Sequence, residues 1–153
     1  MSDPPPQQSV SSDEPTNASR GHGDYVQISI DNRTGIELGI SHAALSSGKF
    51  HVVGNKSSIL TPASVNTITI PNGTTGDVCS CGHNSASVGT EGSFWITAHN
   101  DVTLVTKVVW DCPYSGSNSF NASEGTPIIK VTQRGGTNTS GALGLVYLTL
   151  GPH

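Results

Sequence analysis

Cys79, Cys81 and His83 form a Cys-x-Cys-x-His run, and thiolates and imidazoles are good zinc ligands. In an extended strand, residues two apart lie about 6.6 Å from each other, so both thiols reach one ion only if Gly82 bends the chain. The spacing is not a usual zinc pattern, and a fourth ligand would have to come from Cys112 or a distant histidine. We therefore predict no metal or cofactor, and buried free thiols at the cysteines.

Serine, histidine and aspartate, the side chains of hydrolytic triads, are all plentiful in the chain. The sequence nevertheless contains no Gly-x-Ser-x-Gly elbow and no His-Glu-x-x-His motif. Its glycine-rich stretches also lack the strand-to-helix setting of phosphate-binding loops. We therefore predict a protein without enzymatic activity.

The charge pattern excludes two classes of binding protein. The net charge is −4 with neutral histidines, and the basic residues are scattered along the chain rather than clustered. Nucleic-acid binding depends on phosphate neutralisation, and docking on anionic lipid depends on a polybasic patch, so neither is expected. A membrane role would have to rest on headgroup recognition or aromatic insertion.

Short runs in which apolar and polar residues alternate begin near residue 24 and predict strands. Val26, Ile28 and Ile30 share one strand face, and a turn at 32–35 predicts a hairpin to a second strand with Ile36, Leu38 and Ile40 on one face. Further strands are predicted at 49–53, 65–70, 92–98, 102–110, 127–132 and 145–150. No window keeps an apolar stripe at helical spacing for three turns. The predicted fold is an all-β, single-domain, two-sheet antiparallel β-sandwich of about eight strands.

The two tryptophans, Trp95 and Trp110, fall within these predicted strands, where large aromatic side chains usually fill a sandwich core. We expect both to be core residues. Tyr25 and Tyr114 are amphipathic, so at a loop edge they could sit at headgroup depth, with the ring in acyl chains and the hydroxyl bonded to phosphate or water. The alternative is that both are ordinary surface or core tyrosines.

Residues 1–23 contain three consecutive prolines, many serines and acidic side chains, and almost nothing to bury. This composition predicts a disordered leader, followed by a folded domain at 24–153. The leader lacks the basic-then-apolar pattern of a signal peptide, and no run approaches the roughly 20 apolar residues that span a bilayer. We expect a chain that is soluble when made and either stays in the cytoplasm or leaves by a non-classical route.

Several short segments then occur in a characteristic order. They are Tyr-Val at 25–26 leading to Asp-Asn at 31–32, Ser-Ser-Gly-Lys-Phe-His at 46–51, Cys-Gly-His-Asn-Ser at 81–85, Gly-Thr-Glu-Gly-Ser-Phe at 89–94, Trp-Asp-Cys-Pro-Tyr at 110–114 and Ser-Gly-Ala-Leu-Gly at 140–144. In order and approximate spacing they resemble segments of the aegerolysin family, over about residues 24–150. The segments at 32–35, 89–92 and 132–136 are also similar to the aegerolysin-like small component of bacterial two-component insecticidal toxins.

The resemblance implies a β-sandwich without an active site that binds particular lipids, of sphingolipid type or in sterol-containing membranes. It also implies a haemolysin-like role in a two-component pore-forming system, cytolytic or insecticidal, in which a larger perforin-like or other pore-forming protein makes the pore at the target membrane. Two alternatives remain open. One is a glycan-binding module, and the other is a structural or developmental protein that kept the fold and lost lipid binding.

The candidate lipid-binding positions follow from the same resemblance. Where family members often have membrane-facing tryptophans, this chain carries Tyr25, Ser47 and Tyr114. Val88 stands at an acidic position linked with sphingolipid or sterol discrimination, and Ser117 is the nearest counterpart of an expected basic residue. Lys49 could pair with a lipid phosphate, although an exposed lysine is usually just solvated. The candidate site residues are thus Tyr25, Ser47, Lys49, Val88, Tyr114 and Ser117.

Overall fold

The computed structural model describes residues 23–83 and 87–153, and the remaining positions include most of the predicted leader. The described chain forms eleven strands and one helical turn. The elements are β1 Tyr25–Asn32, β2 Leu38–Ser47, β3 Lys49–Val52, β4 Asn55–Leu60, α1 Pro62–Val65, β5 Thr69–Ile70, β6 Thr75–Cys81, β7 Thr90–Ala98, β8 Thr103–Cys112, β9 Ser119–Glu124, β10 Ile129–Gly135 and β11 Gly144–Pro152. No helix among the described residues is long and apolar enough to span a bilayer.

The strands form two sheets packed face to face, which confirms the predicted sandwich. The first sheet has the order β10-β11-β1-β6-β3-β4, and the second has the order β5-β2-β7-β8-β9. The first sheet is mixed rather than antiparallel, because β1 and β11 run parallel, with Ile28 opposite Val146 and Ile30 opposite Leu148. Parallel neighbours need a long connection, and these two strands are the first and the last of the described strands along the sequence. Alternation alone does not reveal this pairing.

The predicted hairpin at 32–35 is wrong, because the turn carries the chain from the first sheet to the second. Asn32 is fully buried there. Its amide nitrogen donates to the carbonyl oxygens of Ile36 and Ile70, both at 2.8 Å, and its amide oxygen accepts the Thr34 N–H at 3.0 Å. The Asn32 side chain therefore supplies hydrogen-bond partners for backbone groups of a connection that is not part of a strand pair.

The strand predicted at 65–70 is only partly correct. Thr61 caps the helical turn α1 by accepting the Ser64 N–H at 3.1 Å, and Pro62 occupies its first turn, so this stretch begins as a helix. Strand β5 is limited to Thr69 and Ile70. The sequence also did not predict β4, β6 and β9, since most side chains of β4 and β9 are polar or exposed and give no apolar alternation.

The core lies between the inner faces of the two sheets. Trp110 is fully buried and meets the rings of Phe50 and Phe94 at centroid distances of 6.1 and 5.9 Å, which confirms its predicted core position. The same prediction is wrong for Trp95. It alternates with the buried Phe94 and Ile96 along β7, so its half-buried ring lies on the outer face of the second sheet.

A directed chain of hydrogen bonds crosses the core between the sheets. The Trp110 indole N–H donates to the Thr90 hydroxyl oxygen at 3.1 Å, and the Ser80 hydroxyl donates to the Lys49 carbonyl oxygen at 2.9 Å. The Thr90 and Ser80 hydroxyls are hydrogen-bonded to each other. Since the single Ser80 proton goes to Lys49, Thr90 must donate to Ser80. Each buried hydroxyl therefore has both a donor and an acceptor partner.

We predict that Thr90→Val destabilises the protein by about 1–3 kcal/mol, because the similar-sized apolar side chain leaves the Trp110 N–H and the Ser80 hydroxyl oxygen buried without their partner. Urea unfolding followed by tryptophan fluorescence measures the change. Thr149→Val, at an exposed position of β11, is the control and should change stability by less than about 0.5 kcal/mol. Equal stability of Thr90→Val and the wild type would contradict the proposed role of the hydrogen-bond chain.

Candidate functional site

Several connections meet at one end of the sandwich, which we call the loop end. In the first sheet, Tyr25 pairs with Cys81, and Cys81 pairs with Lys49, so the start of β1, the end of β6 and the start of β3 lie side by side. In the second sheet, Thr90 pairs with Cys112 at the start of β7 and the end of β8. The loop end comprises Tyr25, the β2–β3 turn at 47–49, the described part of the β6–β7 connection at 82–83 and 87–89, and the β8–β9 loop at 113–118.

Two glycines allow these connections to approach each other closely. Gly48 has a φ of +89°, and a Cβ added there would lie 2.6 Å from the Cys81 carbonyl oxygen and 2.8 Å from the Thr90 Cβ. A Cβ at Gly89 would collide with the carbonyl oxygen of Cys112. Only glycine fits at either position without moving backbone, so the loop end is packed backbone against backbone.

The structure brings all six candidate residues to the loop end, although their roles remain a prediction. Tyr25, Ser47, Val88 and Tyr114 are half-buried, and Ser117 is exposed. Lys49 differs from the simple picture of a solvated lysine, because only 8% of it is exposed. It is the strand partner of Cys81 on the first sheet, and long basic side chains often bury their stems on an apolar surface.

Cys112 and Asn118 hold the β10–β11 loop against the loop end. The Cys112 sulfur accepts the Leu143 N–H at 3.4 Å and donates to the Gly141 carbonyl oxygen, also at 3.4 Å. The Asn118 amide donates to the carbonyl oxygens of Thr137 and Gly141 at 2.8 and 3.0 Å. The sequence indicated the two segments that contain Cys112 and Gly141, but it did not predict that they touch. Nothing in the polar run around Asn118 indicated that its side chain holds a loop.

A group of ionisable side chains covers the outer face of the first sheet beside Tyr25. Lys56 of β4 places its Nζ 4.0 Å from the centroid of the Tyr25 ring, a cation–π contact. Cys79 and Cys81 are buried on the same face of β6, and Cys79 pairs with His51 of β3. Lys56 was not a sequence candidate, because it lies in the polar edge strand that gave no strand signal.

The three thiols are buried and form no disulfide. Burial raises the pKa of Cys79 to about 12 and those of Cys81 and Cys112 to about 11, so all three are protonated at neutral pH. His83 is exposed beyond the end of β6. Among residues 23–83 and 87–153, no group of three or more histidine, cysteine, aspartate or glutamate side chains is arranged to hold a metal ion.

His51, which belongs to the group of ionisable side chains on the outer face of the first sheet, is a neutral imidazole. It is 5% exposed, its Nδ1–H donates to the Val52 carbonyl oxygen at 2.8 Å, and its Nε2 is buried without a hydrogen-bond partner in the described structure. Burial lowers the pKa of His51, and the positive charges of Lys56 and Lys49 lower it further, against the raising effect of the Val52 bond. Protonating Nε2 would bury a third positive charge beside two lysines.

We predict that His51 makes the protein less stable below about pH 6.5, the pKa of an unfolded histidine. The unfolded chain binds a proton on His51 at pH values where the folded chain does not, so the stability is complete above this pH and falls as the pH drops. One such group contributes a slope of at most about 1.4 kcal/mol per pH unit.

Urea unfolding between pH 4.5 and 8 measures this slope in the wild type and in His51→Asn, which keeps a donor for the Val52 carbonyl. The variant should lose less stability on acidification, and His83→Asn, at an exposed position, should behave as the wild type does. Identical slopes in the wild type and His51→Asn would show that His51 does not titrate in this way.

Comparison with known proteins matches this architecture to one family. The family model described as Aegerolysin matches residues 23–152. Asp-hemolysin of Aspergillus fumigatus is 33% identical over 86% of this chain and 95% of that protein, and Aegerolysin Aa-Pri1 of Cyclocybe aegerita is 31% identical over 83% and 89%. The crystal structure of IP-1A from Alcaligenes faecalis has a TM-score of 0.81 and 32% identity, covering 89% of this chain and 96% of that one. The chain belongs to the aegerolysin family.

Proposed function

We propose that this protein is a non-enzymatic lipid-recognition protein that binds a membrane lipid headgroup with its loop end. The observation that carries the proposal is the convergence of two half-buried tyrosines, Tyr25 and Tyr114, with the turn at 47–49 and Val88 at one end of a rigid sandwich. Membership of the aegerolysin family supports lipid binding.

The two tyrosines suit a membrane interface. A tyrosine ring is apolar and its hydroxyl is polar, so it gains free energy where acyl chains meet headgroups. Val88 adds a small apolar side chain to the loop end, and Ser47 and Ser117 offer hydroxyl groups for a headgroup. The tight backbone contacts of Gly48 and Gly89 fix these positions before binding, which reduces the entropy lost when lipid binds.

We further propose that the bound protein serves a larger pore-forming protein, in the manner of a two-component cytolytic or insecticidal system. With the loop end facing lipid, the outer faces of both sheets stay accessible to that partner. Concentrating the protein on the membrane turns pore assembly into a surface event, which raises the effective concentration of both components. The hemolysin name of the Aspergillus fumigatus relative agrees with a role in membrane damage.

A second candidate, glycan binding, is favoured by a cavity at the β10–β11 loop, next to the loop end. A cavity of about 150 Å³ between β9 and β10 is lined by uncharged side chains and glycines, including Ser119, Phe120, Gln133 and Thr137. Hydroxyls, amides and one aromatic ring are groups that contact sugars. A glycan array distinguishes this function, and a Gln133→Ala variant places it if binding is seen.

We predict that Tyr25→Ala and Tyr114→Ala each weaken binding to lipid vesicles about tenfold, equivalent to about 1.4 kcal/mol, because each removes an interfacial ring. Co-sedimentation with vesicles of phosphatidylcholine containing sphingomyelin, ceramide phosphoethanolamine or sterol measures the affinity. Tyr147→Ala is the matched control, since Tyr147 lies on the outer face of β11 beneath Arg134, away from the loop end.

The control variant should bind lipid as the wild type does. If the wild type binds no vesicle of any composition, the proposed function is wrong. If it binds but both tyrosine variants bind equally well, lipid is recognised by another surface.

A further inference from the structure

The outer face of the second sheet carries opposite charges in two separate rows. Glu91 of β7 is the direct cross-strand partner of Asp111 of β8, near the loop end, and both side chains point outward. Lys107 of β8 lies on the same face, paired with Trp95, four residues or about 13 Å along the strand from Asp111. The face is therefore negative near the loop end and positive further from it.

These charges are not compensated within the part of the chain that the structure describes. Glu91, Asp111 and Lys107 form no ion pair with any residue of 23–83 or 87–153. Like charges directly opposite each other on neighbouring strands are destabilising, and both partial burial and the charge of Glu91 raise the pKa of Asp111. A cation brought to this acidic pair from another molecule would relieve the repulsion, and an anion would pair with Lys107.

The region between the two charged rows is partly apolar and hollow. Val109 pairs with Ser93 midway between the rows and is 38% exposed. A shallow cavity of about 320 Å³ beside it is lined by side chains of β2, β7 and β8, including Ala44 and Ser93. The half-buried ring of Trp95 adds apolar surface on the same face. An apolar centre with charged residues around it is the usual composition of a protein interface.

We propose that this face binds a second copy of the chain, face to face, about a two-fold axis that runs between the two copies, perpendicular to the strands, at the level of Ser93 and Val109. A two-fold dimer uses the same patch on both copies. This axis places Lys107 of each copy opposite Asp111 of the other, with Glu91 beside it, and sets Val109 against its own counterpart. Sheets packed face to face keep their strand directions within about 30°, so these rows stay opposite each other near the axis.

Charge also selects this arrangement over the other two-fold packing of the same faces. An axis parallel to the strands would set Glu91 of one copy against Asp111 of the other and would leave Lys107 facing Trp95, so repulsion disfavours it. In the proposed dimer the strands of the two copies run in opposite directions, and the two loop ends lie at opposite ends of the assembly. The dimer leaves both loop ends uncovered but can bring only one of them to a single membrane.

Sedimentation equilibrium over a dilution series measures dimerisation of the full chain and of variants with one reversed charge. Lys107→Glu and Asp111→Lys each set like charges opposite each other twice, because the two-fold axis repeats every contact. We expect each substitution to raise the dissociation constant of the dimer at least about tenfold. Lys130→Glu makes the same change of charge at an exposed position of the first sheet, so this control should dimerise as the wild type does.

Mixing the two variants gives a result that misfolding cannot imitate. In a mixed dimer of Lys107→Glu with Asp111→Lys, each position 107 faces a position 111 of opposite charge, so the mixture should dimerise more tightly than either variant alone. A short bismaleimide tests the geometry, because the axis sets position 109 against itself. Val109→Cys should therefore crosslink to a covalent dimer, and Thr149→Cys, exposed on the outer face of the first sheet, should not. Circular dichroism checks that each variant is folded.

A wild type that stays monomeric throughout the dilution series overturns the proposal. A dimer that neither Lys107→Glu nor Asp111→Lys weakens overturns it as well, since another surface then holds the copies together. The same conclusion follows if the mixture is no more dimeric than its components, or if Thr149→Cys crosslinks and Val109→Cys does not. None of these measurements contains lipid, so the dimer and the proposed lipid recognition stand or fall separately.

Discussion

The hydrogen bonds from Trp110 through Thr90 and Ser80 to the Lys49 carbonyl join the two sheets next to the loop end. Hydrophobic burial holds the sheets together but is not directional, so by itself it does not fix how one sheet slides over the other. A chain of buried hydrogen bonds with one allowed direction of donation fixes the position of one sheet relative to the other. The relative position of the loops at this end therefore depends on it.

This constraint reaches the candidate site through the backbone. The chain of hydrogen bonds ends on Lys49, which follows Gly48, and Gly48 packs against Cys81 and Thr90. The same Lys49 carries one of the two charges beside Tyr25. A change in how the sheets pack would thus move the turn at 47–49 and the Lys49 side chain together. Core packing and the loop end are parts of one arrangement rather than separate layers.

Much of the fold could be predicted from the sequence, because β-strands in a sandwich alternate buried and exposed side chains. Alternation gave β1, β7, β8 and β11, and it placed Trp110 correctly. It could not say which face of a strand is inner when both carry large residues, so Trp95 was assigned to the wrong side. It also could not reveal the parallel pairing of β1 with β11, which joins strands far apart in the chain.

The candidate site was less predictable than the fold, and Lys56 shows why. Its strand lies at the edge of the first sheet, where one side of the strand has no described neighbour and polar residues are tolerated. Nothing in the local sequence indicates that its side chain reaches Tyr25, whose strand is three positions away across the sheet. Such a contact arises only from sheet order. Binding surfaces built from neighbouring strands are therefore set by topology, which single-sequence patterns do not encode.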